Sequence, residues 1–152
     1  MDTVDKATRS KIMAQVGQRD TGPEMRLRKA LHRIGLRYRL HDKRLLGSPD
    51  IVFPRFRAVI FVHGCFWHRH GCKASTMPET HRKFWTAKFE ANIERDLRNT
   101  KALLKDGWRV MVFWECALKG KKADMHLVAR KVIDWLHSNK QFAEYGGSIE
   151  VK

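Results

Sequence analysis

A chain of 152 residues is long enough for one domain with a buried core. Its 31 Lys and Arg against 16 Asp and Glu leave a net charge of +15, which points to a polyanionic partner, nucleic acid first. No stretch reaches the roughly 18 apolar residues of a membrane span, the first residues lack a signal peptide's apolar run, and three cysteines suit no disulfide framework.

An intracellular, soluble protein with no membrane partner is therefore expected. The arginines run from Arg9 to Arg130 rather than gathering in a tail, so the cationic character belongs to the folded domain. A ribosomal or generic basic protein is the plain alternative on charge alone.

In chain order, residues 1–20 are polar and basic and read as an arm that orders on its partner. Thr21–Glu24 (TGPE) has the spacing of a capping box, and Leu27, Ala30, Leu31 and Ile34 follow at helical spacing until Gly35 ends the run. LRYRL (36–40) alternates as a strand does, and a loop then leads to Asp50 and the strand IVF. AVIFV (58–62) is a continuous apolar run, the mark of a strand covered on both faces, and the three strands are expected to form a meander. After a long loop, the spacing predicts a helix over 82–105 with Trp85, Phe89, Ile93, Leu97 and Leu104 on one stripe. A buried strand, WRVMVFW (108–114), and a last helix over 125–136 complete the series; residues 139–152 read as a loosely ordered tail. The order predicts an α/β domain over 21–138, with a central mixed β-sheet flanked by helices.

The segment HGCFWHRHGC (63–72) holds three histidines and two cysteines around a bare Phe–Trp pair. Cys65, His70 and Cys72, joined by Cys116 just past the strand ending at Trp114, make a plausible tetrahedral zinc set. Soft sulfur with imidazole suits zinc better than magnesium or calcium. The alternative is three unrelated buried cysteines and a core histidine. A closed four-ligand site would pin the loop to the sheet and do no chemistry. Asp50 before one strand, and His63 or His68 after the next, supply an oxygen ligand for Mg²⁺ and a titrating imidazole, as phosphodiester hydrolysis requires.

These residues resemble the very-short-patch mismatch repair endonucleases, the Vsr family. The likeness runs through DKATRSKIM (5–13), SPDIV (48–52), VIFVHGCFWHRHGC (59–72), FWTAKFEANIERD (84–96) and GWRVMVFWECAL (107–118). The resemblance implies a restriction-endonuclease-like core with a zinc-stapled loop, in a bacterial or phage-related cytoplasmic enzyme working at the nucleoid. It implies a Mg²⁺-dependent nick, on one strand, 5′ of the thymine in T:G mismatches left by deamination of 5-methylcytosine. The partner is then mismatched double-stranded DNA, met by a monomer, with repair proteins as further partners.

By position, the resemblance makes Asp50 the magnesium ligand, joined by the main-chain carbonyl of Val62. His63 and His68 match active-site histidines, His68 being the better general base, and Glu24 and Asp96 match supporting acids. Cys65, His70, Cys72 and Cys116 match structural zinc ligands. Phe66, Trp67 and Trp85 match aromatic wedges beside the mismatch, where unstacking costs least. Lys6, Arg9 and Lys11 belong to the arm that embraces the duplex.

Two departures stand out. Valine at 62 replaces the family's threonine, which is harmless if the metal contact runs through the main-chain carbonyl and weakens the site if the hydroxyl matters. His70 lies between Arg69 and Gly71 rather than in a longer histidine run, with the ligand spacing kept. The third strand also ends F-V-H where restriction-type nucleases carry E-x-K, which fits the resembled family and argues against an ordinary restriction enzyme. Two other functions share most of these features: a zinc-stapled DNA-binding module without catalysis, and a restriction nuclease that breaks both strands of matched DNA.

Overall fold

Two parallel strands, Ala58–His63 (β3) and Arg109–Trp114 (β4), form the centre of the computed structural model, which describes residues 22–65, 79–118 and 124–146. Their apolar runs leave nearly every residue buried, as expected of strands covered on both faces. Arg39–Leu40 (β1) and Ile51–Phe53 (β2) add an antiparallel meander on one side, and Phe142–Tyr145 (β5) pairs parallel to β4 on the other. The sheet order is β1-β2-β3-β4-β5. Among the described residues, a mixed five-stranded sheet with three α-helices, Gly22–Arg33 (α1), Arg82–Lys105 (α2) and Met125–Leu136 (α3), bears out the α/β expectation.

Strand alternation divides the core into two layers. On one face Ile60, Met111 and Phe113 meet Leu27 and Leu31 of α1 and Val128, Val132 and Leu136 of α3. On the other, Val59, Phe61, Val110 and Val112 meet Leu103 of α2. α1 and α2 each stop at a glycine with positive φ, Gly35 at +93° and Gly107 at +90°. Beyond α2 the amide of Trp108 donates to Leu103 O at 2.9 Å and that of Gly107 to Leu104 O at 3.1 Å. This pair of bonds closes the helix and turns the chain into β4.

Three expectations need correction. Residues 142–145, read as part of a loose tail, form β5. The segment has no apolar run to announce it, and Phe142 is exposed. Its order comes from distant residues: Trp114 Nε1 donates to Glu144 Oε1 at 2.6 Å, and the Tyr145 ring stacks on Phe113. The strand expected over 36–40 pairs only at Arg39–Leu40, although Leu36 and Tyr38 still pack on the core. The stripe of α2 is also rotated from the expected one. Trp85, Phe89 and Leu103 are buried, whereas Ile93 and Leu97 are exposed. Between the buried ends Asn92, Asp96 and Asn99 are half-covered at helical spacing, so this helix turns a polar line inward at its middle.

One cation holds the last crossover together. The Arg109 guanidinium donates to the carbonyls of Trp135, Leu136, Ser138 and Lys140, and lies 4.6 Å over the Trp135 ring. Charge-assisted bonds to the carbonyls at the end of α3 fix where β5 begins. Arg109→Met should therefore cost roughly 2–4 kcal/mol, read as a lowered denaturation midpoint in urea. Loss of far-UV strand signal before global unfolding would identify β5 as the part released first.

Candidate active site

Three side chains from separate elements converge at one end of the meander: Glu24 in the first turn of α1, His41 just after β1, and Asp50 just before β2. The pairing of Leu40 with Ile51 sets His41 opposite Asp50, and the His41 amide donates to the Asp50 carbonyl at 3.2 Å. His41 sits at φ +47°, a left-handed bend that turns its ring away from a straight strand path. Its Nε2 lies 3.2 and 3.1 Å from the two oxygens of Glu24 and 3.9 Å from Asp50 Oδ1.

Asp50 is aimed by the backbone of the neighbouring strand. The Val62 amide donates to Asp50 Oδ2 at 2.7 Å, which leaves Oδ1 towards His41. Glu24 is only 1% exposed, an extreme burial for a carboxylate, and receives Arg28 Nη1 at 3.4 Å. Burial pushes the Asp50 carboxyl up, and contact with Glu24 pushes it further against the opposing pull of the Val62 amide, to about 8. Two carboxyl groups sharing a largely buried pocket, with Arg28 on Glu24 alone, favour a proton or a further cation between them. Oxygen donors facing one another in this way fit a divalent ion.

Of the residues singled out in the sequence, Glu24 and Asp50 meet here. His63, at the end of β3, is 9% exposed, with its ring 5.3 Å from Trp114 and 5.7 Å from Phe61. Val62 packs into the α1–α3 layer, so alternation turns His63 to the α2 layer. Asp96 lies on the inward line of α2. A Cβ added at Gly47 would touch both Asn99 and Phe61 at 3.1 Å, which brings the middle of α2 and the Phe61 ring of β3 to the same loop. Since the crossover helix runs back along β3, Asp96 falls one turn nearer the His63 end.

Cys65 is fully buried in the α2-side cluster, and Cys116, two residues past β4, packs on the same cluster. Because His63 pairs with Trp114, the two thiols leave neighbouring strand ends on one side of the sheet. Trp85 is 9% exposed and stacks on Phe89, while the exposed ring beside it is Phe84. Phe66, Trp67, His68, His70, Cys72, Lys6, Arg9 and Lys11 lie outside the described residues.

Sequence reasoning missed His41. A single histidine opening a polar loop carries no signal by itself; the meander register, extended by one residue past Leu40, would have set it across from Asp50. A basic cleft of about 420 Å³ flanks the centre, lined by Arg28, Lys29, His32 and Arg33 with Met25 and Tyr38.

The raised Asp50 carboxyl has a measurable consequence. Folding leaves it protonated up to about pH 8, against an ordinary value of 3.8, so its contribution is full below pH 4 and is lost as pH rises through 8. Asp50→Asn keeps an oxygen for the Val62 amide and removes the charge. In magnesium-free buffer at pH 8.5 it should gain roughly 1–3 kcal/mol over the wild type, an advantage that shrinks steadily towards pH 5. Paired urea titrations across that range check it.

Comparison with known proteins gives the family. The family model for the DNA mismatch endonuclease Vsr matches residues 1–74. The chain is 50% identical over 117 residues to the type II nicking enzyme V.XorIIP of Xanthomonas oryzae pv. oryzae, covering 77% of this chain and 86% of that protein. It is 44% identical over 136 residues to the DNA mismatch endonuclease Vsr of Escherichia coli, covering 89% and 87%, and 42% identical over 120 residues to the type II nicking enzyme V.NmeAIP of Neisseria meningitidis, covering 79% and 86%. With the match spread over most of both chains, this protein belongs to the Vsr family of DNA mismatch endonucleases.

Proposed function

We propose that the protein nicks one strand of a DNA duplex 5′ of the thymine in T:G mismatches that arise from 5-methylcytosine deamination, as a Mg²⁺-dependent monomer. The observation that carries this reading is the desolvated Glu24–His41–Asp50 centre, with Asp50 fixed by the Val62 amide. The family membership and the +15 charge support a DNA substrate. The cellular setting that goes with it is a bacterial cytoplasm, at the nucleoid, with mismatch-repair proteins as later partners.

Asp50 and the Val62 carbonyl would hold the magnesium ion, with Glu24 behind them. Bound there, such an ion supplies charge neutralisation at the phosphate and a more acidic water. In the hydrolysis, water oxygen bonds to phosphorus as the bond to the leaving oxygen breaks; one proton leaves the water and one reaches the leaving group. His68 is the proposed acceptor, and His63, braced by Phe61 and Trp114, the second imidazole of the exchange. Asp96, on the His63 side of α2, would orient that ring. Arg28 and Lys29 line a cleft suited to a backbone phosphate.

The strand order, a meander followed by a parallel pair, supports a restriction-endonuclease-like core. Cys65, His70, Cys72 and Cys116 would bind structural zinc; the common packing of Cys65 and Cys116 favours this set. So anchored, Phe66 and Trp67, with Trp85 behind, would wedge the base stack, and Lys6, Arg9 and Lys11 would follow the backbone. A wedge discriminates because a mismatched step yields more cheaply than a paired one.

A strand-resolved nicking assay tests the function. With Mg²⁺, a T:G duplex should be cut beside the T while its C:G twin stays intact, and Asp50→Ala should lower the rate by at least ~10³-fold with binding retained. Equal cutting of both duplexes, or breaks in both strands, would replace this reading with a restriction nuclease. For the zinc set, metal analysis should find about one zinc per chain in the wild type and far less in Cys116→Ala, with a lowered Tm.

A further inference from the structure

His41 has no part in the reaction as described above, yet it is the residue that closes the acidic centre. Its Nε2 stands 3.1 and 3.2 Å from the Glu24 oxygens and 3.9 Å from Asp50 Oδ1. Ligand atoms about 2.1 Å from one ion lie about 3.0 Å apart at right angles and about 4.2 Å apart when opposite. All three separations fall within that window, and one donor atom from each residue fits inside a 4.8 Å group.

The backbone holds the ring in place independently of those contacts. The His41 amide is tied to the Asp50 carbonyl, its left-handed φ turns the side chain to the centre, and Asp42 clamps the next turn through the Arg44 amide and guanidinium. Asp50 Oδ2 is engaged by the Val62 amide, so Oδ1 is the oxygen left on the His41 side. The position is thus built to present one nitrogen beside two oxygens.

We propose that His41 is a metal ligand, which makes Glu24–His41–Asp50 a mixed nitrogen–oxygen site with a preference for first-row transition dications over Mg²⁺. Magnesium favours all-oxygen surroundings and keeps its waters, whereas an imidazole nitrogen raises affinity for the transition ions. This rests on Asp50 being the metal-binding carboxylate of the proposed nuclease, and it names which ions that carboxylate shares with its neighbours.

Mn²⁺ is the probe, measured on the full-length protein by its EPR spectrum and by calorimetric titration against Mg²⁺. The Mn²⁺-loaded wild type should show ¹⁴N coupling from a directly bound imidazole, and His41→Asn should abolish it. Asparagine tolerates the left-handed backbone, and His41→Gln serves as a second variant; unchanged circular dichroism and metal-free Tm confirm that each folds. Both should weaken Mn²⁺ binding about tenfold or more and Mg²⁺ binding by about threefold or less. Coupling that persists without His41 would assign the nitrogen to another histidine and overturn the proposal. Equal loss for both ions would also overturn it, leaving His41 as a hydrogen-bond partner that only positions Glu24. Nicking of T:G duplexes alongside either of these results would leave the proposed function standing; ¹⁴N coupling without nicking of any duplex would keep the site and remove the function.

Discussion

The bond from the Val62 amide to Asp50 Oδ2 is the contact on which the candidate site turns. It forms where β2 begins and β3 nears its end, so the sheet itself aims a carboxylate instead of leaving the task to a loop side chain. A backbone donor costs no rotamer entropy and cannot be lost by side-chain reorganisation. The same amide lies in a strand buried between two helical layers, which makes the position of Asp50 as rigid as the core. His41 follows from it: the antiparallel register that brings Leu40 to Ile51 carries the next residue to Asp50.

Rigidity alone would not make the pocket hold two acids. Glu24 is buried in a helix otherwise rich in basic residues, with Arg28 one turn on and a cleft of Lys29, His32 and Arg33 beside it. The surrounding cations make the region attractive to a polyanion, while the interior pair demands a positive counter-charge. A phosphate on the cationic rim and a cation in the acidic centre would each relieve what the other sets up. Electrostatics of this kind favour binding the two together over binding either one.

Much of the architecture was legible because hydrophobic runs announce themselves. AVIFV and WRVMVFW could only be doubly covered strands, and Leu27 and Leu31 could only face inward. What escaped was order supplied from elsewhere. Phe142–Tyr145 has no pattern of its own and is held by Trp114 and Phe113. Ile93 and Leu97 suggested an apolar stripe, but Asn92, Asp96 and Asn99 take the inward line, and Asn99 there meets the loop at Gly47. In the site, Asp50 was marked by its place before the strand IVF and Glu24 by resemblance, while His41 needed the register, which periodicity does not give.

The parallel pairing of β3 with β4 explains why the remaining candidates gather where they do. His63 pairs with Trp114, so whatever follows each strand emerges at one edge: Cys65 beyond the first, Cys116 beyond the second. Strand alternation then sorts the chemistry by layer. The carboxylates and His41 lie with α1 and the start of the meander, whereas His63, the two thiols and the inward Asp96 lie with α2. A phosphodiester spanning the ends of β2 and β3 would meet acids from one layer and an imidazole from the other. The backbone between them, Val62 to His63, is a single peptide step. That step joins the amide which aims Asp50 to the histidine braced on Trp114, so the spacing of the proposed metal-binding carboxylate and the proposed second imidazole follows from one hydrogen bond and one peptide step.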